Sequence, residues 1–153
     1  MRAAYARQRG FSLIEIVAVL VLVGIALAFV SIAFTKTLDS AKVQAASRDL
    51  VAALRYTRGQ AIVKGKQTAL DIDLQNNTYM APGRAMVHLP KEMHMTLLTA
   101  ESEQTSATSG RIRFFPDGAS TGGHISVLMG RREWRINVSW LTGQVVREEV
   151  AAR

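Results

Sequence analysis

The sequence predicts an α+β protein: one long N-terminal helix, its first half suited to a membrane, packed on a small antiparallel β head. Three observations predict it. From Ile16 to Phe34 no residue can carry a charge, and only Gly24 and Ser31 interrupt Val, Ile, Leu, Ala and Phe. From Thr35 to about Lys64 there is no proline, and apolar residues recur at three- and four-residue spacing. After Gly65 the apolar period shortens to two, with turn residues between the runs.

The uncharged run, as helix at about 1.5 Å per residue, spans roughly 28 Å, close to the hydrocarbon thickness of a bilayer. Arg2, Arg7 and Arg9 precede it with no acid among the first ten residues. That asymmetry sets the N-terminus in the cytoplasm and everything after Phe34 across the membrane. The formal charge of +7 falls to +4 once those three arginines are set aside, so much of the basicity is a targeting device. The chain has no cysteine, and a periplasmic head must be held by packing alone. Glu15 stands at the lip of the apolar run, where a carboxylate without a partner is costly, so it asks for a positive group nearby.

Cleavage between Gly10 and Phe11 would create such a group, an α-amine four residues from Glu15. Arg9-Gly10-Phe11-Ser12-Leu13-Ile14-Glu15 before a membrane-length helix closely resembles the class III signal of type IV pilins and type II secretion pseudopilins. The resemblance implies a pilin-like fold, cleavage after Gly10 by a prepilin peptidase, N-methylation of Phe11, and pairing of Glu15 with the Phe11 amine of an adjacent subunit. An ordinary signal peptide would use Ala26-Leu27-Ala28, but the apolar run continues past that point to Phe34. A plain single-pass anchor accounts for the span and leaves Gly10-Phe11 and Glu15 unexplained.

Along the second half of the helix, Val43, Ala46, Leu50, Ala53, Leu54, Thr57 and Ala61 draw an apolar stripe, with Lys42, Arg48, Asp49, Arg55 and Arg58 mostly off it. Gly65 is the expected stop. The expected organisation is a leader at 1–10, a transmembrane half-helix at 11–35, an amphipathic periplasmic half at 36–64 and a β-rich head at 65–153. In the head, Ala69–Leu74 alternates, and Gln75-Asn76-Asn77 is turn chemistry before Thr78–Met80. Met93–Leu98 reads as a strand and Thr99–Gly110 as an exposed loop. Arg111–Phe115, the turn Pro116-Asp117-Gly118, and Ile125–Leu128 follow. Trp134, Ile136, Val138 and Trp140 are expected on one face of a strand, ahead of a turn at Thr142-Gly143 and a last strand from Gln144 to Arg147.

The stretch Arg113-Phe114-Phe115-Pro116-Asp117-Gly118-Ala119-Ser120-Thr121-Gly122-Gly123-His124-Ile125 resembles a hallmark of the general secretion pathway protein H type of minor pseudopilin, with relatives among minor type IV pilins of the FimT and FimU kind. That resemblance implies a long helix capped by a small β-sandwich. It implies a subunit of the periplasmic pseudopilus, within its tip complex, anchored in the inner membrane. Implied partners are other minor and major pseudopilins, the prepilin peptidase, the inner-membrane assembly platform and membrane lipid. The alternative is a minor type IV pilin serving pilus assembly, twitching or DNA uptake, with a DNA-binding head as the further rival.

Other chemistry is thin. Pro116-Asp117-Gly118 and Gly122-Gly123 suit tight reversals, and the context of a phosphate-cradling loop is missing. His88, His94 and His124 have no zinc-ligand spacing, Asp71 and Asp73 share a strand face, and Ser120 has no nucleophile-elbow context. The expectation is no enzyme, no cofactor and no metal. Arg131, Arg132 and Arg135 around Trp134, with Arg111 and Arg113, are the one candidate polyanion patch. An exposed turn whose arginines pair with Glu133, Glu148 and Glu149 is the favoured reading, and nucleic acid is not an expected partner.

Overall fold

The computed structural model describes residues 12–150, with side chains for 12–27 and 41–150. The chain divides into two compact units, Met1–Leu38 and Asp39–Arg153. One helix, α1, runs Leu13–Lys64. Its start is set by Ser12, whose carbonyl accepts the Glu15 and Ile16 N–H groups at 3.1 and 3.3 Å. The Ser12 hydroxyl accepts the Glu15 N–H as well, at 3.3 Å, which satisfies one orphan donor of the first turn. Its end is a two-bond Schellman cap. Gly65 (φ +60°) donates to Ile62 and Lys66 donates to Ala61, both at 3.3 Å.

In the first unit, the described side chains of α1 are all exposed, from Leu13 at 84% to Val23 at 48%. No helix among the described residues is long and apolar enough to cross a membrane. Positions 28–35 of the expected span lie outside the described side chains.

In the second unit, α1 buries Val43, Ser47, Leu50, Leu54, Thr57 and Ala61. Steps of four and three alternate along this row, as one helix face requires. Ser47 is the member the apolar pattern omits. It is buried because its hydroxyl donates to Gln44 O at 2.8 Å and accepts from Arg147 Nη1 at 3.0 Å. Thr57 likewise turns its hydroxyl onto Ala53 O at 2.8 Å and presents its methyl to the core.

Among the described residues the head has nine strands: β1 Thr68–Asp73, β2 Thr78–Met80, β3 Val87–His88, β4 His94–Leu98, β5 Gln104–Ser106, β6 Ser109–Phe114, β7 Gly123–Met129, β8 Arg132–Val138 and β9 Val145–Val150. They form two antiparallel sheets, ordered β3-β2-β1-β6-β5 and β4-β7-β8-β9. One core joins α1 to both sheets, with Leu70, Ile112 and Phe114 from the first and Ile125, Val127 and Ile136 from the second. Each fully buried side chain of this size contributes about 1.5–3 kcal/mol relative to exposure.

Two expectations need correction. The stretch 99–110 is not a plain exposed loop. A 3₁₀ turn at Glu101–Glu103 leads into β5, which pairs with β6. Glu103 is buried because Arg113 grips it at 2.8 and 3.2 Å and Arg111 approaches at 3.4 Å. Trp140 does not continue the buried face of β8. That strand ends at Val138, Ser139 N–H turns to Gln144 O and Gly143 N–H to Ser139 O, and Trp140 is left 69% exposed.

Candidate functional site: the helix start, the glycine-rich turn and the arginines

Gly10 and Phe11 lie outside the described residues. Glu15 stands in the first turn of α1, where the partial positive charge of the helix N-terminus favours a carboxylate. Among the described residues its side chain has no ion-pair partner and is exposed above a run of exposed apolar residues. Ser12 was legible from the S-x-x-E spacing of Ser12 and Glu15, a capping-box pattern. The Ser12 cap fixes where the helix begins, and with it the height of Glu15 on the helix.

The glycine-rich stretch between β6 and β7 is an anchored turn. Gly118 N–H donates to Phe115 O and Phe115 N–H to Ala119 O, each at 2.9 Å. Pro116 fixes the first corner, and the Asp117 carboxylate accepts Ala119 N–H at 3.0 Å. The Gly118 carbonyl accepts Arg58 Nε at 2.9 Å and thereby ties the turn to α1. Gly143, at φ +61°, closes over the same place: a Cβ there would lie 2.2 Å from Gly118 O and 2.8 Å from Arg58 Nε. Ser120 is committed to structure. Its hydroxyl donates to Ser139 O at 2.9 Å and accepts Gly122 N–H at 3.0 Å, so it is not presented to a substrate.

The five candidate arginines divide between the two sheets. Arg111 and Arg113 are on β6 and share Glu103. Arg132 and Arg135 are on β8 and pair with Glu149 at 3.3 Å and Glu133 at 3.1 Å. Glu148 instead accepts from Asn137 at 2.7 Å. Arg131 is exposed on the β7–β8 turn and has no ion pair among the described residues. The Ser126 hydroxyl, donating at 2.7 Å, and next Arg135 hold the Glu133 carboxyl below its ordinary value. Asp73, whose carboxylate accepts from Asn76 and Gln75, is also lowered and serves as the turn's bracket. Among the described residues no group of three or more His, Asp or Glu side chains could hold a metal ion.

The model of the family described as type II transport protein GspH matches residues 46–143, and that of the prokaryotic N-terminal methylation motif matches residues 5–31. Type II secretion system protein H of Xanthomonas campestris pv. campestris is 37% identical over 137 residues, covering 90% of this chain and 81% of that protein. Two solved structures of the Vibrio cholerae minor pseudopilin EpsH share the fold. The first has a TM-score of 0.54 at 11% identity and covers 72% of this chain and 97% of its own. The second has a TM-score of 0.54 at 12% identity and covers 73% and 95%. With a family model over more than half of its length and a relative 37% identical across most of both chains, the chain belongs to the GspH family of type II transport proteins.

Proposed function

We propose that this protein is a minor pseudopilin, a structural subunit of the type II secretion pseudopilus within its tip complex, acting in protein export by assembly and not by catalysis. The observation that carries the reading is Glu15 in the first turn of α1, ahead of an apolar surface that no described residue covers from Leu13 to Val23. Such a surface asks for lipid before assembly and for neighbouring helices after it. In this reading residues 1–10 are a cytoplasmic leader, 11–35 the membrane half of α1, 36–64 its periplasmic half and 65–153 the periplasmic head. A prepilin peptidase cuts between Gly10 and Phe11 and the new Phe11 amine is methylated. Glu15 then neutralises the amine of an adjacent pseudopilin as the subunit leaves the inner-membrane platform. The methylation-motif match over residues 5–31 supports this assignment.

The experiment is Glu15→Ala in cells lacking the wild-type copy. Membrane insertion and cleavage stay intact, while recovery of the subunit in sheared pseudopilus falls. Equal recovery of variant and parent refutes the pairing. Gly10→Val leaves the precursor uncut, read as a band of unchanged mobility on a gel.

A further inference from the structure

Ten arginines are described; Arg84, stacked on the Tyr56 ring at 4.2 Å, and Arg131, on the β7–β8 turn, stand apart, and the other eight fall into two groups. Arg111, Arg113, Arg132 and Arg135 all have carboxylate partners. Arg48, Arg55, Arg58 and Arg147 have none among the described residues, and all four lie along one surface of the second unit. Arg48, Arg55 and Arg147 line a groove of about 560 Å³ between α1 and the start of β9. Arg55 and Arg58 line its extension of about 440 Å³ toward Gly143. Among the described residues no acidic side chain lines either part. Asp49 lies beside Arg48 in sequence but lines a separate hollow with Tyr56 and Arg84.

Three of these guanidiniums are already held in place. Arg55 Nη2 donates to Val145 O at 3.2 Å and Arg58 Nε to Gly118 O at 2.9 Å. Arg147 Nη1 donates to Gln44 O and Ser47 Oγ, and its guanidinium lies 4.3 Å from the centre of the Trp134 ring. Each tether uses only part of a guanidinium's five N–H donors, and the rest stay available in a fixed fork. A ligand that finds its cations already ordered loses less freedom on binding. Arg48 is exposed and has no hydrogen-bond or ion-pair tether among the described residues.

We infer that this groove docks a short acidic segment of a partner protein, with Glu or Asp carboxylates on Arg48, Arg55, Arg58 and Arg147. Charge complementarity selects an acidic ligand, and the walls select a peptide. Val51, Ala52, Val145 and Val146 are aliphatic, and among the described residues no aromatic ring lines the groove on which a nucleic-acid base could stack, the nearby Trp134 ring being covered by Arg147. The β9 strand is a sheet edge, so the groove opens beside a strand paired on one side only. The inference rests on the assembly reading only for the source of that segment, a neighbouring subunit or a member of the secretion machinery.

The test uses the full chain in neutral detergent and three fluorescein-labelled probes: a hexapeptide alternating Glu and Val, the same peptide with Gln for Glu, and an oligothymidylate of equal charge. At low salt the Glu peptide raises anisotropy saturably and the Gln peptide does not, and binding weakens as salt is added. Arg48→Glu lowers affinity about tenfold or more, because it places a like charge in the groove. Arg131→Glu, outside the groove, leaves affinity within about twofold at unchanged net charge relative to Arg48→Glu. Equal loss in the two variants, no binding of the Glu peptide, or tighter binding of oligothymidylate through Arg48 each overturns the inference. Thermal melting of Arg48→Glu matches the parent. Arg48→Gln, expected to lose affinity by a smaller factor, provides the second variant. Binding is read on purified protein and Glu15→Ala in cells, so failure of one is separable from failure of the other.

Discussion

Replacing Gly143 by alanine tests whether the glycine-rich turn is held by the fit of Gly143 against Gly118 and Arg58. Two costs add. Gly143 sits at φ +61°, and a non-glycine residue there is strained by about 1–2 kcal/mol. The new Cβ would also meet the Gly118 carbonyl at 2.2 Å, so that carbonyl must move, and it is the acceptor of the Arg58 bond. Losing a hydrogen bond to a charged donor costs about 1.5–3 kcal/mol. The total is about 2.5–5 kcal/mol, a large fraction of a typical domain stability of about 5–15 kcal/mol. Gly130→Ala is the matched control. Its φ is +58° and a Cβ there meets nothing within 4 Å, so only the first cost of about 1–2 kcal/mol applies. Urea unfolding of the full chain in detergent, followed by emission of Trp134 and Trp140, reads both. In the Gly143→Ala background, Arg58→Ala should add little, since its bond is already gone. Equal midpoint shifts for Gly143→Ala and Gly130→Ala refute the reasoning.

Three further outcomes follow from named contacts. Glu103→Gln should cost about 2–3 kcal/mol in the same assay, less than a fully buried pair because Arg113 and Arg111 keep 28% and 35% side-chain exposure; a loss below 0.5 kcal/mol would show the pair to be idle. Glu133 is held below its ordinary value of 4.5, so its contribution is complete above that pH and is lost as pH falls through the folded value. Glu133→Gln should therefore flatten the decline of urea midpoints below pH 4.5, and an unchanged slope contradicts it. Asn77, at φ +56°, donates to Met93 O at 2.6 Å and Pro90 O at 3.4 Å. Asn77→Ala should be worse than Asn77→Gly by about 1–2 kcal/mol, the strain that glycine avoids, and equal unfolding midpoints would remove that account.

The helix and most strands were legible because their signals are local. The stripe from Val43 to Ala61 and the Gly65 stop depend on spacing within one element, and the structure keeps both. What spacing could not show was pairing between distant residues. Glu103 reads as one more polar residue in a Ser/Thr-rich stretch until Arg113, on β6, draws it into the sheet edge. Ser47 reads as a break in the stripe until Arg147, a hundred residues later, supplies its partner. Trp140 fits the period of β8 perfectly, but the chain has already turned at Ser139. The Gly10-Phe11-Ser12…Glu15 motif was readable from sequence, whereas the helix-side arginines were not. Arg48, Arg55 and Arg58 appeared only as the solvated side of the stripe, and Arg147 as one residue of a strand.

The two classes of arginine answer different needs. Arg113 and Arg135 are adjacent in space to carboxylates that the head itself supplies, on the 3₁₀ turn before β5 and on β8, and those pairs are satisfied before any partner arrives. Arg55 and Arg58 make their bonds to backbone carbonyls, which orient a guanidinium without neutralising it. A carbonyl leaves the formal positive charge in place, so each such tether fixes the position of the charge without cancelling it. The glycine-rich turn therefore does two things through one hydrogen bond: it joins β6 and β7 to α1, and it aims Arg58 into the groove's extension. A lysine at position 58 could keep the charge but not the directed fork, since an ammonium on a flexible stem has no fixed plane. The structural role of the turn and the recognition role of the groove thus converge on a single side chain. Arg58→Lys separates them, holding charge constant while the geometry is lost.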